Sequence, residues 1–336
     1  MVQERRKVSP GRVTQRDIAR HASASQAAVS RVLMKKGYVA DDVKKRIEEA
    51  ILTLGYRPDP AARSLISGRS NIIAIVMANV LNPFFPLALD ALTGALRKRG
   101  RDILLFNAAA GQKIDELIPE VLRYRVAGII VTTADLTSRA AEICNEAGVP
   151  VVMFHRYAEL GNAPIVACDN ARGGSDAANL LLDAGCRKLA YLGGNSGSSP
   201  NRDRRAGWLE ALAARGLAPV ATMNGSFTYD WGAEGVARLM HQGSDFDALF
   251  CGDDAIACGA IDALRYKFGL RVPEDVSLVG FDDVPQAAWE AYRLSTIRQP
   301  VPEMVEATMQ LLETEDLAPT KILVPSQVIR RSTVRS

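Results

Sequence analysis

Hydrophobic residues recur at helical spacing near the N-terminus and form short continuous runs from residue 71 onward. Residues 13–33 predict two short helices joined by a tight turn. Thr14 and Asp17 have the spacing of a capping box, and Ser25 is a favourable N-cap for the second helix. The apolar positions expected to face inward are Ile18, Ala19, Ala22, Val29, Val32 and Leu33.

The outer face of the predicted second helix carries Gln26, Ala27, Ser30 and Arg31. Polar and basic groups at that place suit a recognition helix, because its first turns reach base edges in the major groove of DNA. An ordinary amphipathic helical hairpin would show the same apolar spacing. The pattern by itself therefore leaves both interpretations open.

A third helix is predicted from about residue 41 to Leu54, with Gly55 as its C-terminal stop. The Pro-containing segment 57–60 then breaks the chain. Residues 61–66 predict one more short helix, and residues 67–70 have the composition of a linker. A helix this short is marginal alone and is expected to order on binding.

From residue 71 the pattern changes to apolar strands that alternate with helices, one of them over residues 87–99. The strands lack the polar alternation of a half-exposed sheet, which indicates burial on both faces. This order of elements predicts an α/β core with two lobes built on parallel sheets. The predicted strands are 72–77, 102–106, 128–131, 149–154, 188–193, 248–251 and 276–281.

Polar and aromatic residues follow several of these strands, where open α/β sheets bind their ligands. They lie at 82–85, 155–156, 253–254 and 282–283, and they suit a small hydroxylated solute. Each has a simpler explanation as well. Asp169, Asp253 and Asp282 could cap helices, Phe84 and Phe85 could be core residues, and Arg156 could form a surface ion pair.

The charges of the chain are segregated. Residues 1–70 hold 15 basic and 7 acidic residues, a net charge of +8, whereas the remaining 266 residues carry a net charge of −5. A basic segment suits a polyanionic partner, because its cations displace the counterions condensed on nucleic-acid phosphates. A merely solvated charged surface predicts no such segregation.

Several motifs of enzymes and metal sites are missing from the sequence. The five cysteines include no Cys-x-x-Cys pair. The chain has three histidines and shows neither a Ser-His-Asp set nor a Walker motif. Only one carboxylate of each adjacent pair, 253–254 and 282–283, can easily face a common ligand. No apolar run is long enough to span a bilayer and the N-terminus has no secretory apolar core, so we expect a cytoplasmic protein. Because the catalytic and metal-binding motifs are missing, we expect no catalytic site, no cofactor and no metal.

An ordered set of motifs resembles the lactose-repressor/galactose-repressor (LacI/GalR) family of bacterial transcription regulators. The resemblance runs over nearly the whole chain from Val13 onward. Its motifs are Thr14-x-x-Asp17-Ile18-Ala19, Ser25-x-x-x-Val29-Ser30-Arg31-Val32-Leu33, Leu54-Gly55-Tyr56-x-Pro58, Ala62-Arg63-Ser64-Leu65, Asn82-Pro83-Phe84-Phe85, Arg204-x-x-Gly207-Trp208, Asp254-x-x-Ala257-x-Gly259-Ala260, Val279-Gly280-Phe281-Asp282-Asp283 and Arg330-Arg331-Ser332-Thr333.

By this resemblance Gln26 and Ala27 read operator bases, and Arg31 contacts guanine, whose O6 and N7 suit a bidentate guanidinium. Leu65 matches a hinge-helix leucine that wedges into the minor groove. Ala27 is smaller than the residue that the family pattern has at this position, and it reads a thymine methyl or no base at all. Ala40 stands where the family usually has Ser. Residues expected to hold the DNA backbone are Thr14, Gln15, Arg16, Ser25, Ser30 and Tyr56.

The resemblance also implies a periplasmic-binding-protein-like core with an effector between its lobes. The matching positions are Phe84, Phe85, His155, Arg156, Arg204, Trp231, Asp253 and Asp282. Trp231 would stack on a sugar-like ring, while Asp253 and Asp282 accept hydroxyl hydrogen bonds. His155 stands where Asp or Asn is common, and with Arg156 and Arg204 it predicts a more cationic pocket. We therefore expect a sugar acid or a phosphorylated sugar as effector, although the two aspartates oppose it.

The expected organisation is a helix-turn-helix DNA-binding domain at 1–58, a hinge helix and linker at 59–70, and an effector-binding core at 71–336. Within the core, one lobe takes about 71–168 and 296–324 and the other about 169–295 and 325–336. The predicted function is a repressor of carbohydrate or sugar-acid genes that binds a near-palindromic operator as a homodimer; a dimer is expected because no heptad tail follows the last motif. A sugar-binding protein or sugar-active enzyme without a DNA-linked function is the alternative.

Overall fold

A computed structural model describes residues 13–34, 37–56, 70–108, 114–132, 138–157, 163–314 and 318–336. The chain divides into two compact units, residues 1–70 and residues 71–336. The predicted short helix at 61–66 and Leu65 lie outside the described residues. Among the described residues, no helix is long and apolar enough to cross a membrane.

The described residues of the first unit form three helices, α1 (Gln15–His21), α2 (Gln26–Met34) and α3 (Asp41–Leu54). The predicted capping box is confirmed, because Thr14 and Asp17 exchange hydrogen bonds through side chain and backbone at the start of α1. The N-cap role of Ser25 is confirmed by the bond from Ala28 N to its Oγ, at 3.1 Å. Gly55 ends α3 with φ 60°, a conformation that favours glycine. The shared core is Ile18, Ala19, Ala22, Val29, Ile47 and Ala50.

In the second unit, the residues that the structure describes form two six-stranded sheets. The first has the order β11-β5-β4-β3-β1-β2 and the second the order β12-β10-β9-β8-β6-β7. All pairings are parallel except that β12 runs antiparallel to β10 at the edge of the second sheet. The strands are β1 (Ile72–Met77), β2 (Asp102–Asn107), β3 (Gly128–Val131), β4 (Val151–Phe154), β5 (Ile165–Cys168), β6 (Leu189–Gly193), β7 (Ala221–Asn224), β8 (Ala248–Cys251), β9 (Ser277–Asp282), β10 (Ser295–Arg298), β11 (Lys321–Val324) and β12 (Gln327–Ile329).

Helices cover both sheets, as buried parallel strands require. The first lobe holds α4 (Phe84–Lys98), α5 (Ile114–Arg123), α6 (Ser138–Glu146) and α11 (Val301–Glu313), and the second holds α7 (Asn170–Asp183), α8 (Ser199–Ala214), α9 (Tyr229–His241) and α10 (Asp254–Asp262). A π-helical turn, Ala263–Lys267, follows α10. All seven predicted strands are present, with small shifts at their ends, whereas β5, β7, β10, β11 and β12 were not predicted.

The chain passes between the lobes after β5, after β10 and after β11. The predicted return to the first lobe at residue 296 is therefore too early. Ser295–Arg298 form β10, whose backbone pairs with β9 in register from Val279 to Asp282, in the second sheet. The crossing falls at Gln299 and Pro300, immediately before α11.

Two glycines allow α7 and α8 to pack backbone against backbone. A Cβ on Gly174 would lie 2.0 Å from the carbonyl oxygen of Arg204, and one on Gly207 would lie 1.8 Å from that of Ala171. No side chain fits either contact. This close approach brings Arg204 to the N-terminal end of α7, where it meets Asn170.

Candidate functional site

A cavity lies between the two lobes of the second unit and is partly open to solvent, with about 230 Å³ of empty space that includes this open part. Its walls come from the loop before α4, from the segment after β4, and from the ends of β8 and β9, so it sits at the carboxyl ends of parallel strands. The lining residues are Asn82, Phe84, Phe85, His155, Arg156, Pro200, Arg204, Phe227, Asp253 and Asp282. The structure thus brings together seven of the eight residues predicted to bind an effector.

Arg204 is the central cation of the cavity, and only 1% of it is exposed. Its Nε donates to Asn170 Oδ1 at 2.8 Å, its Nη1 to the Gly252 carbonyl at 2.5 Å, and its Nη2 to Asp282 Oδ1 at 3.2 Å. The guanidinium carbon lies 3.6 Å from the centroid of the Phe281 ring. The planar fork is therefore fixed on three sides, as a buried guanidinium requires.

Asp253 is both a helix cap and a cavity residue. Its Oδ1 accepts from Ile256 N at 2.8 Å at the start of α10, and its Oδ2 accepts from Asn82 Nδ2 at 2.7 Å. Burial raises the pKa of Asp253, and the bonds from Ile256 and Asn82 act against that shift. Asn82 also donates to the Phe227 carbonyl at 3.2 Å, so one amide of the first lobe bonds twice to the second.

Asp282 accepts at Oδ1 from both Arg204 and Gln299, the latter at 2.7 Å. Burial raises the pKa of Asp282 to about 7, and the neighbouring Arg204 limits the rise. Its backbone has φ 118° and that of Asp283 φ 57°, while His155 has φ 74°. Such conformations are costly for non-glycine residues and cluster at functional sites.

The other member of each aspartate pair turns away from the cavity. Asp254 accepts from Thr296 Oγ1 at 2.6 Å and from Val284 N at 2.9 Å. Asp283 accepts from Arg298 and Arg331, each at 2.7 Å. One carboxylate of each pair therefore faces the ligand space, as the adjacency predicted.

His155 is buried beside Gln299. Gln299 Nε2 donates to Asp282, and the Oε1 of the same amide lies 3.3 Å from His155 Nδ1, a distance at which a protonated Nδ1 donates to it. Burial, together with the charges of Arg156 and Arg204, lowers the pKa of His155 well below 6.5. The expectation that His155 makes the pocket more cationic is wrong, because the buried ring stays uncharged at neutral pH.

Aromatic rings form the rest of the wall. His155 lies against Phe84 with ring centroids 4.3 Å apart and meets the edge of Phe85 at 5.8 Å. The guanidinium of Arg156 lies 5.6 Å from the Phe85 ring and 5.4 Å from the Phe227 ring. Phe84 and Phe85 thus serve the core and the cavity at once.

Trp231 was expected to stack on the ligand, and the structure places it elsewhere. It is buried in the core of the second lobe, and its Nε1 donates to the Gly193 carbonyl at 2.8 Å. The first turn of α9 directs the indole against Gly225, where an added Cβ would clash with it. Phe227, which comes just before α9, is the aromatic residue that the second lobe gives to the cavity.

Four further residues of the site are not among the predicted effector-binding positions: Asn82, Gln299, Pro200 and Asn170. Asn82 lies in the predicted strand-end segment 82–85, whereas Gln299 follows β10, a strand that the sequence does not predict. Pro200 and Asn170 lie in the first turns of α8 and α7. Their positions depend on how these helices pack, and no local signal in the sequence gives that.

In the first unit, α2 presents the predicted outer face. Gln26, Ala27 and Arg31 are exposed and Ser30 is half-buried. Thr14 and Arg16 are exposed at the start of α1, Ser25 is exposed before α2, and Gln15 and Tyr56 are half-buried. Among the residues that the structure describes, no group of His, Cys, Asp and Glu could hold a metal ion.

A helix-turn-helix head and a two-lobed receptor core define a class of ligand-responsive DNA-binding regulators. Residues 14–59 match the family described as bacterial regulatory proteins, lacI family, and residues 178–334 match the periplasmic binding protein-like domain. The ribose operon repressor of Halalkalibacterium halodurans is 31% identical over 327 residues, 96% of this chain and 97% of that protein. The transcriptional regulator AscG of Escherichia coli is 31% identical over 96% of this chain and 98% of its own length.

Solved structures share the fold. The lac repressor dimer bound to operator and the anti-inducer ONPF matches 96% of this chain and 99% of its own at 23% identity, with a TM-score of 0.87. The complex of the transcriptional regulator CelR with cellobiose matches 96% of this chain and all of its own at 26% identity, with a TM-score of 0.70. This chain belongs to the lacI family of bacterial regulatory proteins, and the relatives named here are regulators of transcription rather than enzymes.

Proposed function

We propose that this protein is a repressor of carbohydrate-metabolism genes that binds a near-palindromic operator as a homodimer and responds to a sugar-like effector in the interlobe cavity. The net charge of +8 on residues 1–70 supports binding to a polyanion. The names of the curated relatives, among them a ribose operon repressor, support control of sugar genes. A role on DNA places the site of action in the cytoplasm.

On DNA, we propose base contacts by Gln26, Ala27 and Arg31. They are exposed on α2, whose opposite face packs into the head core through Val29. Arg31 suits guanine because its fork matches O6 and N7, and Ala27 offers only a methyl contact to thymine. Backbone contacts are proposed for Thr14, Gln15, Arg16, Ser25, Ser30 and Tyr56, and a minor-groove wedge for Leu65, which lies outside the described residues.

The observation that carries the effector proposal is the pairing of charges around the cavity. Arg204 and Asp282 bond to each other, Asp253 also lines the cavity, and the pKa of His155 is well below 6.5. Two cations, Arg156 and Arg204, thus face two carboxylates, and the remaining acceptors suit hydroxyl donors. A neutral, hydroxyl-rich sugar fits this balance best, bounded by the apolar walls of Phe84, Phe85 and Phe227.

A sugar acid or a phosphorylated sugar is the second candidate. The observation in its favour is that two guanidinium groups, Arg156 and Arg204, line one small cavity. Guanidinium groups bind carboxylates and phosphates well. An anion in this cavity would meet the carboxylates of Asp253 and Asp282. The pKa of both acids is raised, so protonation of these carboxylates would reduce their repulsion of the anion.

Two titrations test the proposal. In the first, duplexes selected from a pool with a randomised palindrome are titrated with the full chain at several salt concentrations. We expect a salt-sensitive preference for some palindromes, and we expect residues 71–336 alone to lack it. A chain without such a preference, or a core that retains it, would refute the DNA-binding assignment.

In the second, calorimetry compares D-ribose, D-gluconate and D-ribose 5-phosphate on the same protein. Binding of the neutral sugar alone supports the charge-balance argument, and binding of either anion alone supports the second candidate. The matched variant is Asp253→Asn, which keeps the size of the side chain but removes its negative charge and one of its two acceptor oxygens. No heat from these or other sugars would reject the effector assignment and leave the DNA titration to stand by itself.

A further inference from the structure

A cluster of charged and polar side chains around Tyr157 joins the two lobes beside the cavity. Tyr157 follows β4 in the first lobe, and its backbone N donates to Ser199 Oγ of the second lobe at 3.0 Å. Its phenol donates to Asp203 Oδ2, also of the second lobe. Lys321 Nζ, at the start of β11 in the first lobe, donates to the phenol oxygen at 2.9 Å. We call Tyr157, Ser199, Asp203 and Lys321 the Tyr157 clamp.

The clamp is held by charge as well as by hydrogen bonds. Lys321 Nζ lies 4.1 Å from the centroid of the Tyr157 ring, and Arg202 Nη2 donates to the phenol oxygen at 3.2 Å. The phenol thus receives two cationic donors while it gives its own proton to a carboxylate. Tyr157 is only 8% exposed, while its cationic donors Lys321 and Arg202 keep contact with solvent. Charge-assisted bonds in such surroundings are stronger than neutral ones.

The residues of the Tyr157 clamp adjoin cavity-lining residues in both lobes. His155 and Arg156 line the cavity and directly precede Tyr157 in the chain. Pro200 and Arg204 line the cavity from α8, on which Ser199 and Asp203 lie one turn apart. The clamp therefore fixes the distance between a wall of the first lobe and a wall of the second. Neither Tyr157 nor Asp203 is among the lining residues of the cavity.

We infer that Tyr157 is a positioning residue that stabilises the closed arrangement of the lobes, and that it sets effector affinity without touching the effector. The part of this inference that concerns effector affinity rests on the proposed effector function. We expect the protein without effector to populate the closed arrangement. Breaking the Tyr157 clamp should shift the lobes toward an open arrangement and leave the cavity residues chemically unchanged.

The test measures lobe separation in the full chain, without DNA or effector. Spin labels are placed at Glu120→Cys in the first lobe and Gln242→Cys in the second, both exposed, whereas the five native cysteines are buried. Pulsed dipolar spectroscopy then gives the distance distribution. Tyr157→Phe removes only the hydroxyl and keeps the ring, and Tyr266→Phe, at a side chain 82% exposed, is the matched control.

We expect a short-distance population in the parent protein and in Tyr266→Phe. In Tyr157→Phe its ratio to the long-distance population should fall about tenfold, because a hydrogen bond to a charged partner contributes at least that factor. Asp203→Asn keeps an acceptor and loses the charge, so it should shift the ratio in the same direction by less. It also serves as the second variant if Tyr157→Phe does not fold.

Unchanged distributions in the folded Tyr157 and Asp203 variants would overturn the inference. A parent protein with no short-distance population would overturn it equally. Because the measurement needs neither ligand nor duplex, its failure is distinguishable from a failure of the proposed regulatory function.

Discussion

Replacing Arg204 by Met should destabilise the second lobe strongly. The side chain is buried, and its Nη2 pairs with Asp282 at a distance of 3.2 Å. Met fills similar space against Phe281 but removes the guanidinium donors of the Asn170 amide oxygen and the Gly252 carbonyl, and it leaves the Asp282 carboxylate with Gln299 as its remaining donor. Removing one partner of a buried pair typically costs about 3–5 kcal/mol, and we expect Arg204→Met to fall in that range.

The chain offers a matched control for this variant. Arg215 and Asp183 form an ion pair at the same 3.2 Å, but their side chains are 51% and 65% exposed. Solvent screens such a pair, so Arg215→Met should cost less than about 1 kcal/mol. The ion-pair distance is the same in both, so the contrast compares a buried arginine that also bonds Asn170 and Gly252 with a solvent-exposed arginine that has the ion pair.

Urea unfolding followed by tryptophan fluorescence measures the difference. The three tryptophans, Trp208, Trp231 and Trp289, all lie in the second lobe, so the signal reports on the lobe that holds Arg204. The double variant Arg204→Met with Asp282→Asn should recover part of the loss, because it removes the uncompensated charge. A cost below about 1 kcal/mol for Arg204→Met, or strictly additive costs in the double variant, would refute the reasoning.

Three further predictions concern the head, the helix contact and pH. Arg31→Ala should cost about 1–3 kcal/mol of operator affinity and relax one base position, and an unchanged base preference in a gel-shift titration would contradict that role. Gly207→Ala places a Cβ 1.8 Å from a backbone oxygen and should cost about 1–3 kcal/mol or more in urea unfolding, whereas Gly94→Ala, with no atom within 4 Å, should be neutral or stabilising. The pKa of Asp282 is about 7 in the folded protein and 3.8 ordinarily, so its contribution to the free energy of unfolding should fall from about pH 4 to pH 7 and level off above. Calorimetry should accordingly show a neutral sugar binding more tightly at pH 8 than at pH 6 as this acceptor ionises, with the dependence lost in Asp282→Asn; equal slopes in the two proteins would count against it.

Much of the fold was predictable because its signals are local. The capping box at Thr14 and Asp17, the N-cap at Ser25 and the stop at Gly55 each need only a few neighbouring residues. Strands buried on both faces appear as continuous apolar runs, as in β1. Strands such as β10, with the sequence Ser-Thr-Ile-Arg, carry no such run and become strands only through pairing with β9.

The sequence alone thus determined the helices of the head, the apolar strands, the segregation of charge, the family and most of the chemical groups at the cavity, because these depend on residue type and short spacing. Only the tertiary structure decided how those groups are used. Packing buried Trp231 and put Phe227 in its place. Burial beside two arginines lowered the pKa of His155, and the meeting of α8 with the segment after β4 created the Tyr157 clamp. Desolvation and contacts between distant segments depend on three-dimensional neighbours, and no local pattern in the chain encodes them.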